Sequence, residues 1–366
     1  MSKAAELANL IGNINAGGGG VNRNVIINGA MNVAQRGISS TGLGADADTI
    51  PTCDRWFHSV ANTAGRFTMT QDSSAPTGFA NSIKLDCTTA DTSIAAGEVL
   101  LLRQKIEGQN VQMFAKGTSD AKPYALSFYV KANASATYVA ELMDNDNSNR
   151  HVNQTFTVGT DWSRVEISFP ADTTGAFDDD NGDSLNLNIW LHAGSTRTSG
   201  TLQTTWGALN QGNRCVGISS FFSSTDNTFF ITGVQLEVGQ NPTEFEHEPF
   251  ERTLTKCQRY FQNAARNANA NEHIGDSMGH AENTTRVDFI ISLHPNMRAT
   301  PSVTKVGNFI FRENGSNREV TSINLNGASM DRRLWIEGTT SGHTDEASGR
   351  IYTNGTNVGI TIDAEL

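Results

Sequence analysis

The residues that could do chemistry sit in a few short stretches. FDDDNGDS places Asp178, Asp179, Asp180 and Asp183 close together, an oxygen-rich arrangement of the kind calcium takes. Its spacing departs from a helix–loop–helix calcium loop, because the glycine comes early and no glutamate closes it. A solvated hairpin turn asks for the same Asp, Asn and Gly. Asp178, Asp180 and Asp183 are thus calcium candidates on residue type alone, and no metal is expected. The stretch LMDNDNSNR reads the same way. His247 stands between Glu246 and Glu248, but neighbours along an extended chain point to opposite faces, so the three do not make a ligand set. Cys53, Cys87, Cys215 and Cys257 are widely spaced, with no CxxC pair. They read as buried thiols of a protein made in a reducing cytoplasm.

Catalytic templates are missing. There is no HExxH, GxSxG or P-loop, and GGGG at 17–20 follows no strand and opens no βαβ unit. No carboxylate pair stands out for glycoside hydrolysis, and no short fixed period signals the solenoid of a depolymerase. A non-enzyme without a cofactor is expected. Aromatic rings offer another chemistry, stacking on the faces of sugars while Asn, Asp and Gln supply directional hydrogen bonds. Trp162, Trp335 and Tyr352 are the candidates for this role; Trp190, inside NLNIWLHAG, reads as core.

Elements must position these rings. The chain has 366 residues, enough for two or three domains. Charged residues are 18% of the chain and glycines number 34, which favours short strands joined by many turns. YALSFYVKA alternates Leu126, Phe128 and Val130 with more polar neighbours, the period of a half-buried antiparallel strand. Similar runs are GRFTMTQ, NSIKLDC, ATYVAELMDN, SRVEISFP, LNLNIWLHAG, RCVGISSFF and NTFFITGVQLEVG, and NVIIN supplies a short strand at Val25–Ile27. They predict an all-β fold with an N-terminal jelly-roll sandwich over 22–248. A linker helix over 249–265 follows, with Leu254, Cys257 and Phe261 on one face. Beyond it, TTRVDFIISL, PSVTKVGNFIFRENG, RRLWIEGTT, GRIYTNG and VGITIDAEL predict a smaller C-terminal β-sandwich over 266–366, with hairpin signals at Asn314-Gly315, Asn326-Gly327 and Asn354-Gly355.

The first 21 residues differ in character. SKAAELANLI carries an apolar stripe that includes Leu7, Leu10 and Ile11, too short to hold a helix in water alone. Followed by the tetraglycine, it reads as an anchor peg on a joint, gaining order against copies of itself or a socket on another protein. A net charge of −11 speaks against nucleic acid and anionic membrane surfaces, and no stretch approaches the roughly 18 apolar residues of a membrane span.

NVIINGAMNVAQRG, CDRWF, TDW, DNGDSLNLNIWLHAGS, TTWGALNQGN, FFITGVQLEVGQNPTEFEHEPFERTLTKCQRYFQ and MRATPSV, in this order, resemble tail-fibre-like structural proteins of tailed bacteriophages. That resemblance implies a jelly roll like those of carbohydrate-binding modules, a linker helix with the Cys257-Gln258-Arg259-Tyr260 pattern and a C-terminal β domain. It further implies a virion protein of the tail, commonly a homotrimer, held at its N-terminus by tail or adaptor proteins and reaching for a host surface glycan. Three linker helices could then pack around a trimer axis through Leu254, Cys257 and Phe261. A capsid-decorating fibre of the same architecture is the alternative, and a polysaccharide depolymerase the minor one.

Overall fold

A computed structural model describes residues 2–15, 22–267, 273–274, 278–356 and 358–366. Two compact units divide between Thr253 and Leu254. The tetraglycine joint lies outside the described residues. Ahead of it, helix α1 (Lys3–Asn15) opens with Ser2, whose carbonyl and hydroxyl oxygens both accept the Ala5 amide. Its apolar stripe is bare: Leu7 is 57% and Ile11 48% exposed. The side chain of Leu10, the third anchor candidate, falls outside the described residues.

Unit 1 is a sandwich of two six-stranded antiparallel sheets. The first runs β1 (Ser39–Leu43), β4 (Arg66–Asp72), β5 (Ser82–Thr89), β12 (Thr228–Val238), β7 (Tyr124–Ala132) and β10 (Ser163–Phe169). The second runs β2 (Ala47–Thr49), β3 (Phe57–Ala61), β6 (Val99–Glu107), β11 (Asp183–Ala193), β8 (Ala136–Asp144) and β9 (Arg150–Val158). The chain changes sheet at most connections, the winding of a jelly roll. Alternation drives it. Leu126, Phe128 and Val130 of β7 and Leu185, Leu187 and Ile189 of β11 all turn into one core.

Some sequence expectations need correction. Val25–Ile27 is not a strand. The NGAMNVAQRG and CDRWF segments instead fold onto each other through side chains. Asn28, in the left-handed region at φ 57°, donates from Nδ2 to the Val33 and Asp54 carbonyls and accepts the Val33 amide; Trp56 Nε1 donates to its carbonyl at 3.2 Å. Gly29 is required by close approach, since a Cβ there would lie 2.1 Å from the Val234 carbonyl oxygen. RCVGISSFF is not a strand either. With α2 (Ser195–Thr198) it belongs to a strap over the outward face of the second sheet, where Leu202, Cys215 and Ile218 cover Leu101, Val139 and Trp190.

Under the strap lies a fully buried carboxylate, Glu141. Arg214 donates to its two oxygens at 2.8 and 2.7 Å, and Trp190 Nε1 and Asn188 Nδ2 add bonds of 2.9 and 2.8 Å. Burial pushes the Glu141 pKa up, but Arg214 and His151 more than reverse this and hold it well below the carboxylate range. All four cysteines are free and buried.

Where the chain enters unit 1 it is held by its exit. Glu246 accepts the backbone N–H groups of Asn22, Arg23 and Asn24 at 2.6, 2.7 and 3.1 Å, and Arg252 donates to Asn22. Entry and exit therefore lie side by side.

Unit 2 has a three-stranded sheet, β13 (Phe261–Asn267), β22 (Val358–Asp363) and β16 (Ser302–Val306). Its seven-stranded sheet runs β18 (Ser316–Val320), β17 (Phe309–Glu313), β21 (Ser348–Thr353), β14 (Gly279–Asn283), β15 (Arg286–Ser292), β20 (Arg333–Thr339) and β19 (Ser322–Leu325). Val287, Phe289, Phe311, Leu334 and Ile360 meet in one core. Asn314-Gly315, at φ 44° and 82°, makes the tight β17–β18 turn.

Helix α3 (Phe250–Gln258) is shorter than the linker read from the sequence. After a turn at Arg259–Tyr260 the chain enters β13, so Phe261 is a strand residue. Cys257 and Phe261 are buried within the chain and Leu254 is half-buried. The three do not form an exposed helical seam.

Two outcomes are expected. Arg214→Ala strands a buried carboxylate and should cost about 3–5 kcal/mol in denaturant unfolding; a loss below about 1 kcal/mol would show the pair to be solvated. At Glu246, burial raises the pKa, but the three backbone N–H bonds outweigh it and the folded value is lowered. The stabilisation from this clamp is fully present above the unfolded value of about 4.3 and is lost as pH falls through the lower folded one. The protection of the Asn22–Asn24 amides, taken against their intrinsic exchange rates, should fall over that window in the wild type, and Glu246→Gln should remove that pH dependence of protection.

Candidate functional site

The period of two puts a defined set of side chains on the outward face of the seven-stranded sheet. Tyr352, Arg350 and Ser348 come from β21. Ser348 stands opposite His280, His280 opposite Asp288, Asp288 opposite Glu337, and Ile290 opposite Trp335. Two aromatic candidates on strands consecutive in the chain, Trp335 of β20 and Tyr352 of β21, thus share one face. Three interstrand steps separate their strands, roughly 14 Å.

Trp335 is the best-defined feature of this face. The residue is 37% exposed. Its polar edge is tied down, with Nε1 donating to Asp288 Oδ2 at 2.9 Å. Asp288 is in turn gripped by Arg286, whose Nε and Nη2 donate to its two oxygens at 2.7 Å each. Arg286 also reaches Glu337 Oε1 at 2.8 Å, and Asn326 Nδ2 donates to the same oxygen at 2.5 Å. The hydrogen bonds and charge of Asp288 raise the pKa of Arg286 further, so it stays protonated throughout. The backbone is fixed as well, because Ser329 Oγ accepts the Trp335 amide at 2.9 Å.

Around the ring lies an open depression of about 600 Å³, lined by Ile290, Ala328, Met330, Arg332, Arg333 and Trp335. That volume falls in the range of small-ligand sites. A tethered, partly exposed indole beside Ile290, Met330 and two guanidinium groups can stack on a flat, weakly polar ring while the guanidinium groups hydrogen-bond its substituents.

The remaining candidates lie elsewhere. Tyr352 is half-buried, its hydroxyl donating to Asn317 Oδ1 at 2.8 Å. Trp162 is in unit 1, partly buried and edge-on to Phe230 at 6.0 Å between centroids, with Lys84 and Lys131 over the same Phe230 ring. Trp190 is core, as its sequence context implies. The acidic loop does not converge. Asp180 Oδ1 accepts the Gly182 amide at 2.7 Å in a turn of its own, Asp178 is exposed, and Asp183 is partly buried against Asn145, its pKa raised by burial. Among the described residues no three His, Cys, Asp or Glu side chains are placed to hold a metal.

Sequence reasoning missed Arg286, Asp288, Ile290, Met330, Arg332 and Arg333. The signal was present in part: R-x-D-x-I in β15 and R-x-W-x-E in β20 each put charge and apolar bulk on one side of a strand. Their pairing across the ladder was not.

No protein-family model matches the sequence, and no curated protein does. Among solved structures the chain is similar to a CBM4 carbohydrate-binding module at 14% identity, covering 58% of this chain and 97% of that one, with a TM-score of 0.31. It is similar to the enzymatically active domain of tailspike protein 4 of bacteriophage CBA120 at 13% identity, covering 59% of this chain but only 21% of that one, with a TM-score of 0.30. A family 11 carbohydrate-binding module from Clostridium thermocellum, in complex with a mixed-linked tetrasaccharide, is 11% identical over 58% of this chain and 99% of that one, with a TM-score of 0.28.

Asp288→Ala should free the indole while leaving the core intact. The expected loss of stability is about 1 kcal/mol, because the network is partly solvated. Indole ¹⁵N relaxation should report faster motion at Trp335, and unchanged mobility would show that packing alone holds the ring.

Proposed function

We propose that this chain is a structural protein of a tailed-bacteriophage virion that binds a host surface glycan through the Trp335 face. The observation that carries the reading is the tethered, half-bare indole in its open depression, an arrangement that no core-packing requirement explains. Aromatic platforms of this kind suit the apolar faces of sugar rings. The bare stripe of Leu7 and Ile11 on α1 supports a role for the N-terminus as an anchor, seated on a tail or adaptor protein. The ordered series of motifs from NVIINGAMNVAQRG to MRATPSV supports membership of the tail-fibre-like proteins.

In this reading the protein is a homotrimer located in the tail, it performs no catalysis, and weak single sites gain strength because several bind together. Mass photometry of the full chain should show three copies per particle; a monomer at micromolar concentration would contradict the trimer. Binding to host envelope polysaccharide, measured by biolayer interferometry, should fall at least about tenfold in Trp335→Ala, since removing a stacked aromatic costs more than 1 kcal/mol. Undiminished binding by a folded W335A protein would remove the Trp335 face from the proposal.

A further inference from the structure

We infer that the Trp335 depression selects acidic glycans, sugars that carry a carboxylate or another anionic group; this rests on the glycan-binding role proposed for the same face. Arg332 and Arg333 line the depression, and both are exposed. Neither guanidinium has a carboxylate partner among the described residues.

The carboxylates nearby are already engaged or lie outside. Both oxygens of Asp288 are held by Arg286, and one also accepts the indole N–H. Glu337 is bound by Arg286 and Asn326. Asp331 lines a neighbouring depression that Arg332 also borders, with Asn296, Arg298 and Thr300, and no ion pair joins the two among the described residues. The depression itself contains two cations and no acid.

A neutral sugar has no need of this. Hydroxyl groups are served by any donor or acceptor, whereas two planar guanidinium groups with open donors match an anionic substituent in bidentate fashion. Solvated and without carboxylate partners beside the stacking platform, they are open to an anion carried on the stacked ring. The wider charge distribution permits it. Residues 254–366 carry 11 Lys and Arg against 12 Asp and Glu, so of the chain's net −11 only −1 falls in unit 2.

The test uses the full-length protein and three oligosaccharide probes of matched length: galacturonic acid oligomers, sulfated galactose oligomers and neutral galactose oligomers. Wild type should bind at least one acidic probe about tenfold more tightly than the neutral one, and the preference should shrink as salt is raised from 50 to about 500 mM, because exposed charges are screened. The double variant R332A/R333A should lose that preference, its affinity for the acidic probes falling to that for the neutral one, with an unchanged melting temperature. R332K/R333K should recover part of it. Which acidic probe wins tells carboxylate from sulfate. Equal binding of acidic and neutral probes, with both lost in Trp335→Ala, would overturn the inference while leaving the glycan-binding role intact. If no probe and no host polysaccharide binds in a Trp335-dependent way, both fall together.

Discussion

A tryptophan can show much of its surface to water and still keep one orientation only if its polar edge is tied down. At Trp335 that tie is the indole N–H on Asp288, and Asp288 can serve because Arg286 clamps both of its oxygens. The rest of the face follows. With the ring fixed, Ile290 opposite it and Met330 beside it form a floor, and Arg332 and Arg333 a rim. Without the tie, a bare indole would collapse onto the nearest apolar surface.

The same three chemical groups occur a second time in the chain, and the contrast is instructive. In unit 1 the indole of Trp190 donates to Glu141, Glu141 is bound by Arg214, and that guanidinium lies 4.7 Å over the indole ring. There the strap of residues 195–220 closes over everything and Trp190 is 1% exposed. A carboxylate removed from water must be paired at nearly every lone pair, and Glu141 is. Its cluster is committed to holding the strap on the sheet. Around Trp335 no strap is present among the described residues, and the equivalent tether leaves a ring face and two guanidinium groups to the solvent.

How much of this the sequence reveals depends on whether the determining contacts are local. Strands with strict alternation, such as Tyr124–Ala132, are legible because one residue in two faces the core. The central strand Val99–Glu107 is not legible because VLLLRQKIE begins as an unbroken apolar run, buried on both faces, with no period to read. RCVGISSFF looked like a strand for the opposite reason: its apolar residues serve as plugs in the strap, not as a ladder. Val25–Ile27 looks like a strand but is held by the Leu236 carbonyl and the Gln104 side chain, 77 and more residues away. Trp335 and Tyr352 stand out in the sequence as aromatic candidates for a sugar, and of the two Trp335 is exposed and Tyr352 half-buried. That they share a face is not legible, since two strands intervene between theirs and pairing across a sheet leaves no mark on residue spacing.

The most direct test of the central claim uses the five tryptophans, each of which contributes one indole N–H signal. Titrating the labelled protein with oligosaccharides from host envelope polysaccharide should move the Trp335 signal, along with the Met330 methyl, and leave Trp56, Trp190 and Trp206 in place. Shifts confined to Trp162, or no indole shift at saturating sugar, would contradict a glycan site built on Trp335.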